Sequence, residues 1–145
     1  MPYKNLEITN ASTVSQQVKK QSHFYKGFSS VNNKSAGNQL FDFDLVKQDL
    51  INHFNTRIGE RVMHPEFGCI IWDLLMEPLT EAVQSQLTQN IKYICTFDPR
   101  ITPTDINLTQ VDGGYLVELV LTLKNTDQSG TLKLQFDQKS GLSVQ

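Results

Sequence analysis

No apolar run in this chain approaches the roughly 18 to 20 residues of a membrane-spanning helix, and residues 1–20 lack the apolar centre of a secretory signal peptide. Both absences lead us to expect a protein that folds in a cytoplasm and makes no membrane contact. Charge is also scarce: Asp, Glu, Lys and Arg make up 19% of the residues, the formal net charge is -2, and there is no long Lys/Arg run. A chain of that kind is not built for nonspecific binding to nucleic acid or to an anionic bilayer. The two cysteines, Cys69 and Cys95, both lie among apolar residues. They read as buried free thiols of a reducing compartment, with a disulfide as the minor alternative. A G-x-S-x-G elbow, a Walker loop and a dinucleotide fingerprint are all missing, and no cofactor is expected.

Apolar residues are few as well, at 39%, because uncharged polar side chains dominate the first forty positions. Residues 1–40 cannot build a core alone and read as an extended polar N-terminal arm. Within them His23, Phe24, Tyr25 and Phe28 form a small cluster. The cluster predicts either an arm packed on neighbouring proteins or a short strand added to this chain's own sheet, and residues 32–38 read as a flexible turn.

Residues 41–145 carry the folded domain, a length sufficient to bury one core. Asp44 is the expected cap of a first helix whose buried face is Val46, Leu50, Ile51 and Phe54, with Gly59 closing its end. A dense segment, residues 57–79, follows; it holds the only Trp and two of the five Pro, so turn and core residues meet in one loop pinned to the interior. A short helical stretch is expected over residues 70–76, ended by Pro78. A longer helix then starts from Thr80 and stops near Phe97, burying Val83, Leu87, Ile91 and Ile94. From Ile106 the apolar period changes from about 3.6 to 2. Strands over residues 106–111 and 115–123 form a hairpin through Asp112-Gly113-Gly114, and a third strand covers residues 131–136. The class is α+β, with helices packed on one face of a small antiparallel sheet of three strands or slightly more. Residues 137–145 read as a polar tail that closes neither open edge, and an open edge is a docking surface for another chain's strand.

Candidate chemistry concentrates in the dense segment. Glu60, Glu66, Asp73 and Glu77 are the carboxylates from which a glycosidase would need a facing pair, roughly 5 to 9.5 Å apart. Pro78 bends the chain at Glu77, and Glu60 and Glu66 sit beside basic or turn residues, so ion pairing or loop capping accounts for them. His64 and Cys69 fall short of the four ligands of a structural zinc site, and no metal is expected. The run Phe97-Asp98-Pro99-Arg100-Ile101 places a guanidinium at a proline-fixed corner between helix and sheet. Such an arginine needs a carboxylate or several carbonyls. Two partners stay open: an internal one among Glu60, Glu66 and Glu77, or a neighbouring subunit.

Four segments carry a family resemblance. They are Gly59-Glu60-Arg61, His64-Pro65-Glu66-Phe67-Gly68-Cys69, Leu74-Leu75-Met76-Glu77-Pro78-Leu79 and Asp98-Pro99-Arg100-Ile101. In this order and over residues 43–136, they resemble the baseplate wedge family of contractile phage tails, which includes the sheath-initiating component and has relatives in type VI secretion baseplates. The last motif usually reads Glu-Pro-Arg in that family; Asp98 takes the Glu position with one methylene less. The resemblance implies a structural, non-enzymatic component of the virion tail baseplate, assembled in the host cytoplasm. It would brace other wedge proteins and offer a sheet edge that templates the first ring of tail sheath. Central hub or tube proteins are further candidate partners; nucleic acid and membrane are not. The implied partner-facing residues are Asp98, Pro99 and Arg100 at the corner, Glu60, Glu66 and Phe67 in the loop, and Thr131, Lys133 and Gln135 on the last expected strand. Some members have been labelled lysozymes, so a cell-wall glycosidase is the alternative from another class, and a strand-binding adaptor outside any phage particle is a third.

Overall fold

A computed structural model describes residues 22–29 and 39–145. The turn expected over residues 32–38 lies outside the described residues. Strands β1 (Lys26–Phe28) and β2 (Gln39–Phe41) precede helices α1 (Asp42–Asn55), α2 (Ile71–Leu74) and α3 (Glu81–Phe97), and strands β3 (Ile101–Val111), β4 (Gly114–Leu123), β5 (Ser129–Asp137) and β6 (Gly141–Val144) complete the chain. The architecture is α+β. β3 to β6 form a four-stranded antiparallel meander in sequence order, and β1 and β2 make a separate two-stranded ribbon.

Alternation along β4 creates the core. Tyr115, Val117, Leu119, Leu121 and Leu123 are all buried on one face, Leu132, Leu134 and Phe136 of β5 continue that face, and the stripes Val46-Leu50-Phe54 and Leu87-Ile91-Ile94 of α1 and α3 pack onto it. Thr80 caps α3 by accepting the Val83 amide, as expected. The Trp72 indole donates to the Phe54 carbonyl at 2.8 Å and meets the Phe136 ring edge-on, which ties α2 to both layers. Both cysteines are free and buried, and burial pushes each thiol up to about 12.

Several elements differ from the expectations. α1 begins two residues earlier than Asp44, with Phe41 extended at its cap position and without a side-chain cap bond. Gly59 does not close it: Thr56 ends the helix in extended geometry, and Gly59 instead turns the following loop, donating its amide to Pro65. β3 starts at Ile101 rather than Ile106. An edge strand tolerates Pro103 because no partner needs its missing N–H, and a register shift between Pro103 and Asp105 absorbs the irregularity. Residues 137–145 are not an unpaired tail. Asp137 accepts bonds from the Lys139 amide and the Ser140 hydroxyl, the chain reverses, and β6 pairs with β5 from Leu134 to Asp137. β1 joins β2, which leads directly into α1, rather than the main sheet.

Candidate docking corner

α3 ends at Phe97, and Asp98-Pro99 turns the chain into β3. Asp98 accepts the Arg100 backbone amide at 3.0 Å and its Nε at 2.9 Å, while Arg100 Nη2 bonds both Asp98 and Asp49 of α1 at 2.6 Å. Two carboxylates thus hold one guanidinium in a charge-assisted fork. The Asp98 bonds, with Asp49 adding to them, raise the pKa of Arg100. For Asp98 burial works upward, but the bonds and charge of Arg100 prevail and hold its carboxyl below the ordinary value. On another side the Tyr25 ring lies 5.6 Å from the guanidinium carbon, and the Tyr25 hydroxyl receives the Asn125 amide.

Beside the corner is a hollow of about 470 Å³ lined by Asp49, Asn52, His53, Phe67, Phe97 and Pro99 among others. Its apolar wall is a stack. The His53 ring lies 3.7 Å from Phe67 and meets Phe97 edge-on at 5.6 Å, and Arg61 covers the outer face of Phe67 at 4.6 Å. His53 is 5% exposed, and its Nε2 has no hydrogen-bond partner among the described residues. Burial, with the Arg61 charge adding to it, lowers the pKa of His53. Phe97 is 60% exposed, so the outer ring of the stack faces solvent.

Phe67 reaches the stack because the loop over residues 57–69 is closed at its neck. Arg57 and Cys69 form a parallel bridge, and the Cys69 amide donates to Thr56. At the neck Gly68 has φ +140°, and an added Cβ would stand 2.6 Å from the Arg57 carbonyl carbon; only glycine lets the two chain segments approach this closely. The loop tip carries Val62 and Met63, 93% and 83% exposed.

The structure joins Asp98, Pro99, Arg100 and Phe67 around one hollow and leaves the other expected residues outside it. Neither Glu60 nor Glu66 pairs with Arg100, and Glu77 does not either. Glu60 accepts the Arg57 amide, Glu66 stands 3.8 Å from His64, and the Glu77 carbonyl accepts the Tyr115 hydroxyl. For Glu60 a short loop bond accounts for the difference: a carboxylate satisfied within three residues orders fewer chain segments than one reaching across the fold. Thr131 and Lys133 are exposed on the outer sheet face, where Lys133 pairs with Glu118 at 2.7 Å, and Gln135 lies opposite Ser143 of β6. β5 is therefore an interior strand over its second half. The sheet's open edges are β3, β6 and the part of β5 ahead of Lys133, whose carbonyl accepts the Gln145 amide. Asp49, His53 and Tyr25 were not expected at the corner. Asp49 and His53 share the i, i+4 spacing of a helix face with the apolar stripe beside it, the one signal that could have marked them.

Comparison with known proteins bears on this geometry. Residues 42–128 match the family described as Baseplate wedge protein gp25. The chain is 32% identical over 94 residues to Baseplate wedge protein gp25 of Enterobacteria phage T4, covering 62% of this chain and 71% of that one. It is 25% identical over 107 residues to Baseplate protein W of Escherichia phage P2, covering 70% and 89% respectively. A Geobacter sulfurreducens crystal structure, described as a candidate tail lysozyme, superposes with a TM-score of 0.54 at 22% identity, covering 63% of this chain and 90% of that one. At that identity the likeness concerns the fold alone.

Proposed function

This chain belongs to the Baseplate wedge protein gp25 family, and on that premise we propose that it braces neighbouring wedge subunits through the Asp98-Pro99-Arg100 corner and offers a sheet edge to the first ring of tail sheath. Membership in the family supports a structural role in the phage tail baseplate. The observation that carries the finer reading is the corner itself: a guanidinium fixed by two carboxylates beside an open hollow with an exposed aromatic wall. Rigid charged groups around an apolar recess suit docking, because the geometry is set before the partner arrives. Assembly in the host cytoplasm, with contacts to wedge and sheath proteins, follows from the same reading.

Catalysis finds no support in the carboxylates. Glu60 and Glu66 line different hollows, and the acids of the hollow at the corner, Asp49 and Asp98, are both tied to Arg100. A general acid needs a raised pKa, and Asp98 is shifted the opposite way. Purified protein should clear no peptidoglycan; clearing that Glu60→Gln or Glu66→Gln abolishes would establish the glycosidase instead.

The sheath arm of the proposal is tested at the C-terminal edge. Deleting residues 131–145 would remove Leu132, Leu134 and Phe136 from the core, so the informative truncation removes residues 141–145 only. Particles carrying it should keep their wedges and lose sheath attachment; normal sheath growth would show that this edge templates nothing.

A further inference from the structure

The family match starts at residue 42, so the arm ahead of it has to be explained from its own contacts. Those contacts are well defined. Asp42, at φ +42°, accepts the amides of Phe24 and Tyr25 at 2.9 Å each and faces His23 Nδ1 at 3.1 Å, and its own amide donates to the Tyr25 carbonyl at 3.0 Å. His23 stacks on Phe41 at 4.2 Å. Gly27 lies so close to Leu45 that an added Cβ would stand 2.4 Å from its methyl carbon. The alternation is that of a strand with one covered face. Tyr25 and Gly27 turn toward the domain, and Phe24, Lys26 and Phe28 turn away from it.

That outward face is unusual for so short a strand. Phe24 is 62% exposed and Phe28 80%, with an exposed cation between them that takes part in none of the ion pairs among the described residues. Two rings and an ammonium on an anchored backbone form a recognition surface whose order is already set before binding. Its charge selects the occupant. A two-fold contact between copies of this chain through the face would bring Lys26 against Lys26, and like charges directly opposite are unfavourable. The face is also continuous with the corner, because Tyr25, between Phe24 and Lys26, lies against Arg100.

We propose that Phe24, Lys26 and Phe28 form a second docking face, and that its occupant is a segment of a different baseplate protein carrying a carboxylate between apolar side chains. The face extends the corner outward, so that the occupant binds beside the Asp98-Pro99-Arg100 turn. This rests on the reading of the chain as a baseplate subunit.

A photoreactive phenylalanine analogue at position 28, introduced into assembled particles, tests it. The expected adduct is a peptide from another protein with Asp or Glu among apolar residues. Lys26→Glu should lower the adduct yield about tenfold, and reversing the partner's acid to Lys should restore it. An adduct to a second copy of this chain, an adduct to a segment without an acid, or no adduct in particles that contain the protein would each overturn the proposal. Unaltered melting of the position-28 and Lys26→Glu proteins shows that the arm is still folded. Particles from which the chain is absent altogether would fail the baseplate reading itself, which separates the two outcomes.

Discussion

The corner at Arg100 and the loop over residues 57–69 are both charged turns with a single proline, yet they use their charges in opposite ways. At the corner the guanidinium is bonded to Asp49 and Asp98 and flanked by Tyr25, so every strong interaction is internal. In the loop Arg57 and Arg61 lie over the rings of Trp72 and Phe67, while Val62 and Met63 project into water. The corner is fixed by directional, charge-assisted bonds; the loop is fixed by backbone contacts at its neck and between Gly59 and Pro65, and by the Phe67 ring stacked on His53. A surface proposed to dock a partner can thus be rigid without leaving its charge unsatisfied. An arginine in a family motif need not await a carboxylate from elsewhere.

Breaking the neck should have the largest effect. Gly68→Ala forces a side chain onto the Arg57 backbone at a positive φ, and we expect a loss of about 3 kcal/mol in urea denaturation, with the Phe67-His53 stack disrupted. Arg100→Ala should cost less, about 1–2 kcal/mol once solvent screening of the partly exposed pairs is allowed for. It leaves Asp98 and Asp49 repelling each other, and Asp49→Asn in the same chain should recover part of the loss.

The corner also predicts a pH dependence. Against the upward push of burial, the Arg100 guanidinium holds the folded pKa of Asp98 below its ordinary value of 3.8, so its contribution is present above the unfolded value and vanishes as pH falls through the folded one. Urea midpoints should therefore decline below about pH 4, and the decline should be shallower in Asp98→Asn. His53 adds a term at higher pH: its folded pKa lies below 6.5, so its contribution is lost as pH falls from that value through the folded one. An identical acid profile in Asp98→Asn would mean that the fork does not stabilise the fold. The smallest effect belongs to the loop tip, where Val62→Ser with Met63→Ser should change stability by less than about 0.5 kcal/mol. Any larger loss would show that the tip packs on something.

Legibility followed the range of the interaction. The buried face of α3 and the strands β4 and β5 were readable because a period of side chains reports burial directly, while in α1 Ile51 is only half-buried and His53 is buried; Thr80 was readable at the start of α3 for a similarly local reason. β6 was hidden because Leu142 and Val144 alone are too few for a pattern, and the start of β3 because proline within a run argues against a strand. The corner was half legible. Asp98-Pro99-Arg100 stood out, but Asp49 lies fifty-one residues from Arg100 in sequence, and its helical spacing from His53 places it on a face without naming its partner. Tyr25 was legible as an aromatic that docks, though not as one that docks on Arg100.

The central claim is that the corner serves assembly more than it serves folding. It is tested most directly by counting complete baseplates in particles carrying Arg100→Ala, at a temperature well below the melting point of the purified variant. Complete baseplates should be lost although the variant is folded. Complete baseplates at the wild-type yield would contradict it.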